Sequence, residues 1–253
     1  TLVARDGQSL PDAWREAGLN PDLMGPDDVL LEASCFVELH VEQGRGLADV
    51  GHPVAIATAV RPHGRWRAEF TGQGNHAGTT LIPDRHDPVV PMAQTILAAR
   101  EAAEREGCVT TVGRINVEPG GTNVIASAAT MWLDCRAEES QTVTKVVEDI
   151  QQASETAADK QGCQVVWTRE SWTDRTAFDL RARMLQILGE DIPQLSTGAG
   201  HDAATLATTM PTGMLFVRNP TGASHCPAES ASDADCEAAV SYTHLTLPTI
   251  YSV

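Results

Sequence analysis

Two segments near the start of the chain carry the hydrophobic patterns of strands. In FVELHVEQG, residues 36–44, apolar residues alternate with Glu38, His40 and Glu42. A period of two residues is typical of a strand with one buried face. Residues 54–60 form a continuous apolar run, which predicts a second and more deeply buried strand. Turn residues follow both segments, so each is predicted to end at the edge of a sheet.

The middle of the chain predicts a separate block of strands and helices. The predicted elements are a strand at 65–71, a helix at 88–106, strands at 109–117 and 129–136, a helix at 142–160 and a strand at 163–168. This βαββαβ order is that of a ferredoxin-like domain. Beyond it, helices at 177–188 and 203–208 and a strand at 213–217 return to α/β character. We therefore predict an α/β domain, residues 1–62 and 173–240, interrupted by a ferredoxin-like lid, residues 63–172.

The two ends of the chain are interpreted differently from the rest. The first thirty residues are rich in Pro, Asp and Gly around a short predicted helix at 10–17, and they are expected to form a surface lead-in. Residues 241–253 contain both tyrosines of the chain, and we interpret them as a non-native tail. A short C-terminal strand is the alternative. His244, in this tail, is set aside as a functional candidate.

Charge and composition exclude several classes of partner. The 253 residues carry 18 basic and 34 acidic side chains, a net charge of −16, which argues against binding to a nucleic-acid backbone. No apolar stretch approaches the roughly 20 residues of a membrane-spanning helix, so we expect neither a nucleic-acid nor a membrane partner. Six cysteines without a C-x-x-C pair predict reduced thiols in the cytoplasm, with a disulfide framework as the alternative.

Two histidines follow predicted strands, where open α/β sheets place ligand sites. His40 lies near the end of the first strand, and Gln43 and Gly44 beyond it suit the rim of a pocket. His225 lies in NPTGASHCPAE, after the strand at 213–217. Imidazole nitrogens are ligands that zinc prefers, but two histidines do not complete a site. From the residues alone, a solvated histidine at a strand edge remains possible for His40.

Polar turns in the lid supply three further candidates. His76 lies in GQGNHAGTT, where it could face a substrate oxygen or simply form a polar hairpin tip. Asn123 lies in the Gly-rich segment RINVEPGGTNVI, and Arg136 ends the strand that contains WLDCR. An arginine fork can bind a carboxylate through two hydrogen bonds. A surface salt bridge with Asp134 or Glu138 is the alternative for Arg136.

A Gly-rich turn also precedes the predicted helix at 203–208. GAGHDA, residues 198–203, contains His201 and Asp202 between this turn and the helix. Backbone N–H groups at a helix start can hold an anion, and Asp202 could instead cap the helix. Neither the spacing of the G-x-G nor the segment before it supports a dinucleotide-binding motif. We interpret the segment as one that shapes a pocket.

In order along the chain, FVELHVEQG, GQGNHAGTT, GRINVEPGGTNVI, WLDCR, TGAGHDA and GASHCPAE resemble the motifs of one family. This is the allantoate amidohydrolase and N-carbamoyl-L-amino-acid hydrolase family, within the dinuclear-metal aminoacylase and peptidase group. The resemblance covers about residues 10 to 240. It implies a metal-dependent, aminopeptidase-like α/β domain, partial in this chain, interrupted by a ferredoxin-like lid that also forms a homodimer. The βαββαβ block predicted from hydrophobic pattern agrees with that lid.

The resemblance also implies roles for individual residues. His40 and His225 would each ligate one of two divalent ions, zinc or manganese. Gln43, Asn123 and Arg136 match positions that bind the substrate, with Arg136 at its carboxylate. His76 would act both as a substrate-binding and as a catalytic residue, reaching the partner subunit's active site to polarise the scissile carbonyl.

The implied function is hydrolysis of a linear C–N bond in a small ureide or N-carbamoyl amino acid. Allantoate is the leading substrate, an N-carbamoyl-L-amino acid the second and an N-formyl amino acid the third. The family's other ligands and its general base are absent upstream of His40, so we expect a C-terminal fragment that is inactive by itself. A non-catalytic dimerisation or ligand-binding module is the alternative.

Overall fold

The computed structural model describes residues 3, 7–25 and 32–250, with side chains to residue 244. The chain divides into two units, residues 1–35 and 36–253. In the first unit, α1 (Leu10–Glu16) begins after Ser9, whose Oγ accepts a hydrogen bond from the Asp12 N–H at 3.3 Å. A short 3-10 helix, Pro21–Leu23, follows. The helix predicted at 10–17 is confirmed.

The second unit contains the remaining elements. Its strands are β1 (Phe36–Val41), β2 (Val54–Val60), β3 (His63–Thr71), β4 (Asn75–His76), β5 (Val109–Glu118), β6 (Val124–Ile125), β7 (Ala128–Arg136), β8 (Gln164–Thr173), β9 (Thr176–Ala177), β10 (Gln194–Thr197) and β11 (Thr212–Val217). Its helices are α2 (Gly46–Val50), α3 (Val89–Glu106), α4 (Ser140–Lys160), α5 (Arg181–Leu188), α6 (Asp202–Leu206) and α7 (Asp233–Ile250).

The α/β part is built on a mixed sheet with the strand order β1-β11-β2-β10, and β9 pairs with β2. β1 runs parallel to β11 and β10 runs parallel to β2, whereas β11 and β2 are antiparallel. Ala55 and Ala57 of β2 pack on the side of α2 and α6, while Val54 and Ile56 pack on the side of α5 and α7. Helices on both faces explain why β2 and β11 are apolar along their length.

The lid is a four-stranded antiparallel sheet with the order β5-β7-β3-β8. Both α3 and α4 cover one face, because the alternate residues of β3 and β7 that point toward them are apolar. Trp66 and Leu133 pack with Val143 and Ile150 of α4, and Phe70 packs with Met92 of α3. The predicted βαββαβ order is confirmed, and so is the α/β fold with an inserted lid.

Three boundaries differ from the prediction because tertiary pairing decides them. β8 continues to Thr173, since it pairs with the whole length of β3. The helix predicted from residue 177 begins at Arg181, because β9 pairs with the end of β2. Residues 241–250 continue α7 rather than forming a strand, and Tyr242 packs against the core beside Ala239. That the tail is non-native stays a prediction, as do the exact domain boundaries.

Candidate active site

The topology brings the ends of β1 and β11 to one edge of the sheet. These strands are parallel, with His40 opposite Phe216, so the segments that follow them emerge side by side. The segment after β1 carries Gln43, and the segment after β11 carries His225. Together with His40 and residues 198–200 they line a cleft of about 560 Å³. Arg61, Arg136 and Ser224 complete its wall.

His40 is oriented by the backbone beside it. Its Nδ1 lies 2.7 Å from the Val41 carbonyl oxygen, and because a carbonyl only accepts, Nδ1 carries the proton. The lone pair is therefore on Nε2, which is the tautomer that a metal-binding histidine needs. The His201 ring contacts the His40 ring edge-on, with centroids 4.6 Å apart. His40 is thus held by one hydrogen bond and one ring contact.

Beside His40 lie the partly buried Glu38 and the buried His201. The donor atoms of Glu38, His40 and His201 all lie within 4.8 Å of one another. His201 Nδ1 is 3.4 Å from Glu38 Oε1 but makes no hydrogen bond to it, nor to any other group among the described residues. Burial lowers the pKa of His201, His40 lowers it further, and Glu38 opposes both. The pKa of His201 therefore lies below its ordinary value.

Glu38 also sets the position of α6. Its Oε2 accepts a hydrogen bond from the Ala203 N–H at 2.6 Å, which satisfies one of the free N–H groups at the helix start. Asp202 is the first residue of α6, and the N-cap is His201. The interpretation of Asp202 as a possible helix cap is therefore wrong, because Glu38 of β1 does the capping. Gly198 and Gly200 do line the cleft, as expected of a pocket-shaping segment.

His225 lies in a backbone conformation that is rare for residues other than glycine. Its φ is +56°, in the left-handed region, and strain of this kind is concentrated at functional sites. Glu229 accepts a hydrogen bond from the His225 N–H at 2.8 Å and so helps to hold the turn. The Gln43 amide nitrogen lies 3.2 Å from His225 Nε2 and 3.0 Å from Ser224 Oγ. Gln43 therefore links the segments that follow β1 and β11.

The loop that presents His225 is organised by the buried side chain of Asn219. Its Nδ2 donates to the Ala223 carbonyl at 2.7 Å. Its Oδ1 accepts from the backbone N–H groups of Thr221 and Gly222, each at 3.2 Å. Three backbone groups of the loop are thus bound by one amide, which fixes the start of the turn leading to His225.

Arg136 reaches the cleft from the end of β7. Its Nε and Nη2 donate to the two carboxylate oxygens of Asp134 at 2.6 and 2.9 Å, and its Nη1 donates to the Gly198 carbonyl. Burial alone raises the pKa of Asp134, but the hydrogen bonds from Arg136 and Arg65 outweigh it and hold the pKa below its ordinary value. Of the five N–H hydrogens of the guanidinium, two are outside these bonds.

The salt bridge between Arg136 and Asp134, which the sequence offered as the alternative to substrate binding, is therefore present. Arg136 nevertheless also lies on the wall of the cleft. The contact proposed with Glu138 is wrong, because Glu138 pairs with Arg61 instead, at 2.6 Å. Asp134 holds one edge of the Arg136 guanidinium. The remaining hydrogens can serve a ligand in the cleft.

The donor chemistry of the cleft fits divalent ions such as zinc or manganese. His40 offers a Nε2 lone pair, and His225 Nε2 lies within reach of the Gln43 amide, which can only donate through its nitrogen. Neutral imidazoles are ligands of both metals. Catalytic zinc takes three protein ligands. A single histidine for each of two ions would therefore supply only part of each coordination sphere, and further ligands would be needed.

His76 and Asn123 lie elsewhere, on a two-stranded ribbon of the lid. β4 pairs with β6, with His76 opposite Val124, and the Ala77 N–H donates to the Asn123 carbonyl at 3.0 Å. His76 is exposed, and its Nδ1 accepts from the Gly78 N–H at 3.0 Å, which leaves the proton on Nε2. Neither residue lines the cleft of this chain. The structure thus groups His40, Gln43, Arg136 and His225 but not His76 and Asn123.

Three residues of the site were missed in the sequence analysis. For two of them, the sequence contains a pattern that could have indicated their position. Glu38 lies two residues before His40 on the same strand face, so the alternating pattern already places it beside the site. Arg61 directly follows β2, at a strand end. Asn219 has only the turn-like NPTG sequence around it, which does not distinguish a buried amide from a surface turn.

Comparison with known proteins agrees with this architecture. Residues 58–161 match the family model of a peptidase dimerisation domain, which covers most of the lid. An N-carbamoyl-L-amino acid amidohydrolase from Geobacillus stearothermophilus is 36% identical over 93% of this chain and 60% of the relative. A crystal structure of an amidase of the hydantoinase/carbamoylase family from Burkholderia vietnamiensis is 25% identical, with a TM-score of 0.84 over 98% of this chain and 61% of that one.

Two further relatives differ in the substrate that their names give. A ureidoglycolate hydrolase from Arabidopsis thaliana is 30% identical over 98% of this chain and 55% of the relative. The allantoate amidohydrolase of Escherichia coli is 28% identical over 90% and 57%. This chain spans 60% or less of the length of these relatives. Since the matches run through both the lid and the α/β part, the chain belongs to the family of allantoate amidohydrolases and N-carbamoyl-L-amino-acid amidohydrolases.

Proposed function

We propose that this chain is part of a metal-dependent enzyme that hydrolyses a linear C–N bond in a small ureide or N-carbamoyl amino acid. The observation that carries the proposal is the cleft in which His40 and His225 meet Arg136. Imidazole donors and a guanidinium suit a substrate with a hydrolysable carbonyl and a carboxylate. Allantoate is our leading substrate, followed by an N-carbamoyl-L-amino acid and then an N-formyl amino acid.

Each residue of the cleft has a distinct task in this proposal. His40 and His225 would hold two divalent ions, zinc or manganese, which when bound supply a water-derived nucleophile at neutral pH. The free N–H hydrogens of Arg136 would orient the substrate carboxylate. Gln43 would donate from the rim through its amide. His76 would donate its Nε2–H to the carbonyl oxygen, where negative charge develops during attack.

His76 performs that task only if a second copy of the chain brings it to the cleft. It is exposed on the β4–β6 ribbon, outside the cleft of its own chain. We therefore propose a homodimer formed through the lid, in which each ribbon reaches the active site of the other subunit. Asn123 lies on the same ribbon as His76, and we assign its substrate contact to the partner's site as well.

The surroundings in which the enzyme works are also part of the proposal. The cysteines at 35, 108, 135, 163, 226 and 236 are all free thiols. Burial raises the pKa of Cys135 to about 12, which makes that thiol unreactive. Within the described residues, no helix is long and apolar enough to cross a membrane. Free thiols support the reducing environment of the cytoplasm.

Turnover assays on the full-length enzyme test the proposal. We expect hydrolysis of allantoate, an N-carbamoyl-L-amino acid or an N-formyl amino acid after loading with zinc or manganese. His40→Ala should abolish turnover and reduce the bound metal measured by elemental analysis, whereas His52→Ala, a histidine outside the cleft, should change neither. Hydrolysis of dipeptides alone would contradict the proposed class of substrate.

A further inference from the structure

A second cavity lies beside the metal-binding cleft and has no part in the function proposed so far. Its volume is about 440 Å³, and it shares Gln43, Arg61 and Gly198 with the cleft. Glu138 and Ser196 belong to its wall but not to that of the cleft. Arg61 therefore lies at the boundary between the cleft and this cavity.

Three polar side chains of this cavity, Arg61, Glu138 and Ser196, form a cluster, and Arg61 is the member that also lies on the wall of the cleft. Arg61 Nη2 lies 2.6 Å from Glu138 Oε1, and Arg61 Nε donates to Ser196 Oγ at 2.9 Å. Ser196 Oγ in turn donates to the same Glu138 Oε1 at 2.7 Å. Arg61 Nη1 and Glu138 Oε2 take part in none of these bonds. The cluster thus retains one hydrogen-bond donor, Arg61 Nη1, and one acceptor, Glu138 Oε2, that these three bonds do not use.

We propose that this cavity is a subsite for a planar amide on the substrate, such as a second ureido group or a carboxamide. A terminal amide has a carbonyl acceptor and an N–H₂ donor next to each other. These match Arg61 Nη1 and Glu138 Oε2. Leu195 and Phe216, also on the wall, suit the carbon atoms that lead to such a group. The inference rests on the proposed function and selects among its substrates.

The same pair of side chains disfavours other substituents. A carboxylate would lie against Glu138 and an ammonium group against Arg61, and like charges in contact are unfavourable. An aliphatic group would offer no hydrogen-bond partner to Arg61 Nη1 and Glu138 Oε2, which a site built for hydrogen bonding penalises. The subsite therefore favours allantoate, with its second ureido group, or the N-carbamoyl derivative of asparagine or glutamine.

Binding to the metal-free protein tests the subsite without turnover. Four ligands are compared by calorimetry, the N-carbamoyl derivatives of L-asparagine, L-aspartate, L-leucine and glycine. We expect the asparagine derivative to bind at least about fivefold more tightly than the glycine derivative, a gain of about one hydrogen bond. The aspartate and leucine derivatives should bind no more tightly than the glycine derivative. Equal binding of the asparagine and aspartate derivatives would overturn the proposal.

Glu138→Gln changes the charge of the subsite while nearly preserving its shape. We expect the aspartate derivative to gain about tenfold in affinity, since a like charge is removed and Arg61 is freed. Glu104→Gln, on the exposed face of α3 and paired with Arg100, is the matched control and should change nothing. The glycine derivative has no side chain to place in the subsite, so a change in its affinity would reveal a general disturbance of the lid. An equal change for all four ligands would show that Glu138 only supports the lid, and would contradict the subsite.

Kinetics on the metal-loaded full-length enzyme separate this inference from the proposed function. The ratio of kcat/KM for the asparagine and aspartate derivatives should follow the binding ratio and fall in Glu138→Gln. Absence of turnover with every ligand would contradict the proposed function, and the order of the four binding affinities would then decide the subsite by itself. Turnover without that preference would contradict the subsite alone.

Discussion

Arg136 combines a structural contact with a position on the wall of the cleft. Asp134 holds its Nε–Nη2 edge, and the Gly198 carbonyl accepts from Nη1, so the guanidinium plane is fixed before a substrate arrives. A preorganised donor loses less entropy on binding. A lysine has one nitrogen and cannot make this fork and a substrate contact together.

Arg136→Lys should therefore raise the KM of the full-length enzyme about tenfold or more with little change in kcat, because each charge-assisted hydrogen bond contributes about 1.5–3 kcal/mol. Steady-state kinetics with the preferred substrate measure the effect. Arg114→Lys is the control, since Arg114 stacks on Trp132 in the lid and does not line the cleft. An unchanged KM for Arg136→Lys would show that Arg136 only binds Asp134.

The ion pair of Asp134 also makes stability depend on pH. The folded-state pKa of Asp134 is below its ordinary value, so the stabilisation is present above the unfolded-state pKa, near 3.8, and is lost as pH falls through the folded-state value. Asp134→Asn should cost about 2 kcal/mol at pH 7 and progressively less below about pH 4. Urea unfolding of both proteins across this range measures the difference. A cost independent of pH would contradict an ionic origin.

Among the elements, the loop after β11 does most to place His225, which we propose as a metal ligand. It combines the left-handed conformation of His225 with the buried amide of Asn219. Neither feature belongs to a regular helix or strand, so the geometry depends on side-chain hydrogen bonds. A loop of this kind is expected to lose its conformation when the side-chain amide of Asn219 is removed.

Asn219→Ala should lower the free energy of unfolding by about 2–3 kcal/mol, because three backbone groups of a partly buried loop lose their partner. It should also weaken zinc binding, since His225 loses its fixed position. Chemical unfolding and zinc titration measure the two effects. Asn116→Ala, an exposed residue of β5 bonded to Glu118, should change neither by more than about 0.5 kcal/mol. Equal effects of the two variants would contradict this role of Asn219.

The longer elements could be predicted from the sequence, and the shorter ones could not. β2 was predicted at residues 54–60, as observed, because a continuous apolar run between turns has few other structures. The two-residue strands β4 and β6 have no periodicity, and they form only because they pair with each other. α2 has five residues and begins where Glu42 accepts from the N–H groups of Gly46 and Leu47. Such contacts depend on the fold and leave no local pattern.

At the scale of the whole molecule, the predicted site residues divide between two places. The sequence places His40 near the end of one strand and His225 after another, and because β1 and β11 are parallel, both histidines lie at the same edge of the sheet. That Arg136 joins them depends on how the lid meets the α/β part, which hydrophobic pattern does not encode. His76 and Asn123 lie on the ribbon, and their motifs alone do not show that they lie apart from the cleft. The division favours an active site completed by a second subunit.

Mixing two inactive variants of the full-length enzyme tests whether His76 acts on the partner's site. His40→Ala removes a proposed metal ligand from the subunit's own site. His76→Ala removes only the side chain that the subunit would contribute to its partner's site. After subunit exchange, half of the dimers are mixed and each has one intact site, so activity should recover to about a quarter of wild type. The control mixes His40→Ala with His225→Ala, which leaves every site short of a ligand and should recover nothing. If His76 acts within its own chain, the first mixture stays as inactive as the control, and the dimeric site is wrong.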